Sequence, residues 1–161
     1  MDITKHTEFF DRHASLLATY LSSGANADTI LEKLNLAQQG PISITYAPFD
    51  HVPVHADLVI VGITPGRTQA ISAITAASTA LRAGKDNKEA SRLAKITGSF
   101  SGPMRTNLIS LLDHIGLASA LRIATCASLF DPDRQSVHLT SALRYPVFRR
   151  RRELQRQPGY A

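Results

Sequence analysis

Cysteine is nearly absent. The 161 residues include one, Cys126, which excludes an intrachain disulfide framework and any all-cysteine metal site within the chain. Long hydrophobic runs are missing too. None approaches the ~20 residues that a membrane-spanning helix requires. Met1-Asp2-Ile3-Thr4-Lys5 lacks the basic-then-apolar layout of a secretory signal. Charged residues amount to 19% against 43% hydrophobic, too apolar a mixture for a disordered chain. No internal repeat is visible. Collagen, coiled coil, membrane protein and secreted disulfide knot are excluded, and one cytosolic globular domain is expected.

Charge is unevenly placed. The net +5 arises from Arg144 onward, where six arginines face Glu153 alone. Before Arg144 the chain balances, with 12 basic and 12 acidic residues. Inside that neutral body, residues 1–57 carry 3 basic and 7 acidic side chains, and residues 58–122 carry 8 and 3. A positive middle segment can face phosphates, and a merely solvated helix would have the same composition.

Helical spacing of Phe9, Phe10, Leu16, Leu17, Tyr20 and Leu21 predicts a first helix, stopped at Ser22-Ser23-Gly24. Asn26 or Asp28 can cap a second, carrying Ile30, Leu31, Leu34 and Leu36 and ended by Gly40. Alternating Ile42, Ile44 and Tyr46 predict a short strand and then a loop. Leu58-Val59-Ile60-Val61 is a continuous apolar run, the pattern of a parallel strand buried on both faces. An alanine-rich helix over Thr68–Ala83 stops at Gly84, and a polar helix covers Asp86–Lys95. After a loop over Gly98–Gly102, Pro103 opens an amphipathic helix with Leu108, Leu111, Leu112 and Ile115, closed by Gly116. Arg122–Leu129 and Val137–Leu143 are further strand candidates. This order argues for an α/β layer fold.

The turn Gly62-Ile63-Thr64-Pro65-Gly66 is the most distinctive feature. A strand entering a Gly-x-x-Pro-Gly turn and then a helix puts that turn at the carboxyl end of a sheet, where open α/β sheets bind ligands. Gly62 and Gly66 let a ligand approach the backbone, Pro65 stiffens the turn, and the next helix N-terminus offers N–H groups. The phosphate loop of nucleotide hydrolases is excluded, because no Gly-Lys-Ser/Thr follows, and the three-glycine dinucleotide fingerprint is absent.

These residues resemble the uracil-DNA glycosylase superfamily. Leu58 through Gly66 is similar to its first active-site motif, which in the mismatch-directed branch reads Gly-Ile-Asn-Pro-Gly. Ser99-Phe100-Ser101-Gly102 through Leu117 is similar to the Pro-Phe-x-Gly loop and the leucine-rich helix ending in Ile-Gly-Leu. Val137 through Pro146 resembles the strand Val-Tyr-Ile-Thr-Asn-Val-Val-Lys-Cys-Arg-Pro of the iron–sulfur branch. The resemblance implies a three-layer α/β/α fold with a central, mostly parallel sheet. It also implies base excision, in which a flipped uracil, mismatched or modified base is cut from its sugar.

Carried over, Thr64 stands where relatives use Asp or Asn to position the attacking water. Phe100 stacks on the flipped base, Ser141 stands where an Asn reads a pyrimidine edge, and the backbone around Ile63 lines the base pocket. Gly62, Pro65, Gly66 and Arg67 make the turn and contact the DNA backbone. The implied partner is DNA, met by a cytoplasmic monomer, nucleoid-associated if bacterial, that uses no metal or other cofactor in the chemistry and no membrane. Three residues depart from the pattern. Thr64 carries no carboxylate, Ser141 is shorter than Asn, and Tyr145 replaces a cluster cysteine. No His-Pro-Ser motif follows Pro146.

The expected organisation is one domain over 1–146, with 1–40 as its N-terminal helical region, and an arginine-rich tail over 147–161. That tail lacks strand or amphipathic-helix periodicity, and reads either as a phosphate-binding arm or as the disordered, aberrant end of a cut or shifted frame. His51 and His55 flank Pro53 and lack an obvious third ligand for zinc. His138 reads as a satisfied strand histidine, Asp131-Pro132-Asp133 as a turn and Cys126 as a small buried hydrophobe. Ser101 and Ser110 have no histidine at the spacing of a serine hydrolase. Besides a glycosylase, the sequence admits a glycosylase-like module that binds nucleic acid or nucleotides without cutting, and a truncated product whose incomplete sheet does neither.

Overall fold

Six helices and two small sheets organise the residues described by the computed structural model, 8–133 and 136–149. The chain is of mixed α/β class. The tail reading of residues 150–161 lies outside the described residues. Helix α1 (Glu8–Thr19) buries Phe10 and Leu17. Helix α2 (Ala27–Lys33) is capped by Asn26, not Asp28: the Asn26 Oδ1 accepts from the Thr29 N–H at 2.9 Å.

The second helix is shorter than its apolar spacing predicts. Strand β1 (Asn35–Gln39) begins almost at once and pairs antiparallel with β2 (Ile42–Thr45). Gly40, at φ +54°, supplies the left-handed turn residue between them. The far edge of β2 carries β5 (Val147–Arg149), with Ile42 opposite Arg149. The start of the expected tail is therefore a strand. Three residues carry no readable periodicity, and their partner is a hundred residues away in sequence.

The apolar run forms β3 (Leu58–Gly62), parallel to β4 (Val137–Ser141) from Leu58 opposite Val137 to Gly62 opposite Ser141. Leu58 and Ile60 pack on Val137, Leu139, Phe130 and Leu108. Two-sided burial fails on the other face, where Val59 is 54% and Val61 61% exposed. Arg122–Leu129 forms no strand. Thr125 caps a 3₁₀ turn over Cys126–Phe130, and Asp113 accepts from the Thr125 hydroxyl at 2.6 Å and the Cys126 N–H at 2.7 Å. Those bonds fold the segment onto helix α5 (Pro103–His114), and Cys126 is buried as expected. Along α5, Leu108 and Leu112 pack on this cluster while Leu111, and Ile115 just past its end, stay exposed. A short helix α6 (Leu117–Ala120) follows. No helix among the described residues is long and apolar enough to cross a membrane.

Helices α3 (Arg67–Arg82) and α4 (Asn87–Gly98) pack through small residues: Ala70, Ala73 and Ala77 on one, Ala90, Ala94 and Gly98 on the other. A Cβ on Gly98 would lie 2.6 Å from the Ala73 Cβ and 2.9 Å from the Gln69 carbonyl oxygen. Asp86 caps α4 by accepting from the Glu89 N–H at 2.8 Å. Because the obstruction at Gly98 includes backbone, Gly98→Ala is expected to lower stability by about 1–3 kcal/mol, as overpacking does. The urea midpoint measures it. An unchanged midpoint would show that the two helices part without penalty.

Candidate functional site

Gly62 ends β3, and its missing side chain leaves the space that two distant residues use. A Cβ there would meet the Ser141 Oγ at 3.3 Å and the Phe100 ring at 3.4 Å. Gly62, Phe100 and Ser141, drawn from three separate motifs, thus converge at the carboxyl end of the parallel pair.

Phe100 sits at φ +53°, uncommon for a residue with a bulky side chain. The loop around it is fixed from outside. The Arg105 guanidinium donates to the carbonyls of Ile96, Thr97 and Ser99 at 2.7, 2.8 and 2.6 Å. It also lies 5.1 Å from the centre of the Phe130 ring. One cation thereby satisfies the free carbonyls at the end of α4 and anchors the loop to the β3–β4 core.

Phe49, Pro65, Gln69, Phe100, Ser141 and Arg144 wall a pocket at this point, and no carboxylate among the described residues lines it. Its volume is about 10 Å³, room for about one water. The other residues singled out by the sequence lie elsewhere. The Thr64 hydroxyl donates to the Tyr145 carbonyl at 3.2 Å and accepts from the Val147 N–H at 3.3 Å, tying the turn to the start of β5. The Ile63 side chain is 81% exposed, and its carbonyl accepts from the Leu143 N–H at 2.9 Å. Gly66 caps α3 without a side chain. Arg67 pairs with Asp28 at 2.8 Å, an exposed contact that contributes little.

A buried polar cluster beside the pocket is invisible in the sequence. Asp50, next in the chain to the pocket residue Phe49, accepts from the Tyr46 hydroxyl at 2.7 Å and the Tyr145 hydroxyl at 2.6 Å. Burial pushes the Asp50 carboxyl up, and the two tyrosine bonds oppose that shift. Lys95 is buried on α4 and donates to the His51 carbonyl. Burial brings its ammonium down to about 7. His51 and His138 fall to about 4, first through burial and then through the charge of Lys95. His138 is not the satisfied strand histidine expected, since its Nδ1 is buried without a partner among the described residues. No local pattern joins these residues. His138 and Tyr145 lie in the Val137–Pro146 segment and Tyr46 ends the Ile42–Tyr46 alternation, while Asp50 and Lys95 read as ordinary loop and helix positions.

Asp131 accepts from the Asp133 N–H at 3.0 Å, the turn expected there. Among the described residues no three metal-ligating side chains come together, so the His51–His55 pair gains no third ligand. The histidine shifts have a definite consequence for stability. Below the ordinary histidine value of 6.5 the unfolded chain takes protons that folded His51 and His138 refuse until about pH 4. Their contribution to stability is therefore full above pH 6.5 and is lost as the pH drops through that window. Asp50 works in the opposite sense, equally in any His138 variant. Thermal melts from pH 7 to 4 are expected to show a shallower decline in His138→Gln than in the parent. Parallel curves would remove His138 from the account.

No family model and no solved structure matches the chain. It is 38% identical over 128 residues to "Uncharacterized protein YoxB" of Bacillus subtilis (strain 168), an alignment covering 79% of this chain and 50% of that protein. The chain spans about half the length of that relative.

Proposed function

We propose that this chain carries the base pocket of a DNA glycosylase-like protein, which hydrolyses the N-glycosidic bond of a flipped uracil, mismatched or modified base. The observation that carries the reading is the meeting of Gly62, Phe100 and Ser141 at one strand end. The turn's chemistry gives Gly62 a close backbone approach, and the resemblance gives Phe100 a stacking role and Ser141 a base-reading one. In this reading the β3–β4 pair belongs to a central parallel sheet of a three-layer α/β/α fold. The protein acts on DNA in the cytoplasm, without self-association. Arg144, on the pocket wall, faces the departing base, where a developing negative charge is stabilised by fixed donors.

A pocket that admits one water holds no base, so Phe100 must swing aside for the base to enter and then close over it as a stacking platform. One observation favours a second reading, a module that binds a base without cutting. The Thr64 hydroxyl is engaged by the backbone at Tyr145 and Val147, and the described residues of the pocket wall include no carboxylate to act as base or to offset positive charge at the sugar.

Mass spectrometry of bases released from DNA separates the two. Substrates carry uracil, hypoxanthine, thymine mismatches or hydroxymethylated and glucosylated cytosines, in single and double strands. One base is expected to be released, roughly 5- to 150-fold more slowly by Phe100→Ala, given ~1–3 kcal/mol for base–aromatic stacking. Silence from every substrate with folded protein would sink hydrolysis. Saturable, Phe100-dependent binding in the same samples would then leave the binding module.

A further inference from the structure

Strand β3 has the composition of an interior strand and the surroundings of an edge. Among the described residues it pairs on one side only, with β4. Val59 and Val61, alternate strand residues and so on one face, are exposed, as is Ile63 just past the strand's end. On that face their β4 neighbours His138 and Thr140 are half-buried. The cover over the sheet therefore reaches β4 and stops short of β3. The opposite face, through Leu58 and Ile60, is covered.

Edge strands are normally blunted by charge, proline or polar residues. Strand β1, an edge of the other sheet, follows that rule: Asn35-Leu36-Ala37-Gln38-Gln39 is mostly polar and exposed. Leu58-Val59-Ile60-Val61-Gly62 has no such device. A parallel strand also needs cover on both faces. One structural unit meets both needs, a strand along the open edge followed by a helix over Val59, Val61 and Ile63. Residues 150–161, rich in arginine with Leu154 as their one aliphatic side chain larger than alanine, have the wrong composition for it.

We propose that the open edge and face of β3 seat a further parallel strand and its helix, contributed by a polypeptide equivalent to the half of the Bacillus relative that this chain does not match. The 128 aligned residues are 50% of that protein, so an equal length remains, several times the ~30 residues of a strand–helix–strand unit. A second copy of this chain fits less well. Two-fold symmetry would pair the β3 strands antiparallel, and no helix would be carried onto the valines. The inference holds whether the pocket cuts a base or only binds one.

The test is co-expression of the full 161-residue chain with the unmatched half of the Bacillus protein. A one-to-one complex is expected by size-exclusion chromatography with light scattering. In it the edge-facing amides of Val59 and Val61 should gain at least tenfold protection from hydrogen exchange, while that of Leu58, already bonded to Ser136, should not. Val61→Lys, at a site already exposed, should weaken the complex at least tenfold while the variant keeps the parent's circular dichroism. Val59→Lys is the second variant, should the first misfold. Absence of a complex overturns the inference, as does a complex indifferent to both lysines. A self-dimer that Val61→Lys dissolves also overturns it, making a second copy the occupant.

Discussion

The contact between α3 and α4 depends on an α-carbon without a side chain. With Gly98 against Ala73 and the Gln69 carbonyl, the end of α4 lies directly on the helix that leaves the Gly62–Gly66 turn. From there the chain has only two residues in which to reach the carboxyl end of β3. It does so through the unusual backbone of Phe100, with Arg105 gathering the carbonyls left by the helix end. A longer side chain at Gly98 would move this loop away from Gly62 and open the one place where three sequence motifs meet.

Electrostatics set the second constraint. A carboxyl, an ammonium and two imidazoles are packed behind the pocket with few compensating contacts. Asp50 is supported by two phenolic hydroxyls, Lys95 by a backbone carbonyl. Such groups contribute little net stability, because desolvation offsets their mutual attraction. What they provide is a polar wall in which burial favours the neutral forms, lowering both imidazoles to about 4 and the Lys95 ammonium to about 7.

Much of this could be read from the chain before any coordinates. The β-branched run, the Gly84 stop and the Asn26 cap are strong local signals, and each element they specify is present. The missed elements share a cause. Strand β1 is polar because it lies at an edge, β5 is three residues long and exists only through β2, and Cys126–Phe130 is a short apolar run that fits a strand or a turn equally well. At the site, Gly62, Phe100 and Ser141 were accessible because each belongs to a motif. The Tyr46–Asp50–Tyr145 cluster was not, because no local pattern links residues 95 positions apart.

That separation bears on the order of assembly. The N-terminal helices, β1 and β2 can begin to collect locally, but several of their ties come from a short stretch near residue 145. Tyr145 reaches Asp50, its carbonyl and the Val147 amide hold Thr64, and Val147–Arg149 closes the edge of β2. Until that stretch is available, Asp50 lacks one of its two donors and β2 presents an open edge. The segment acts as a clasp whose contacts span roughly a hundred residues, the non-local kind of pairing that goes with slow folding.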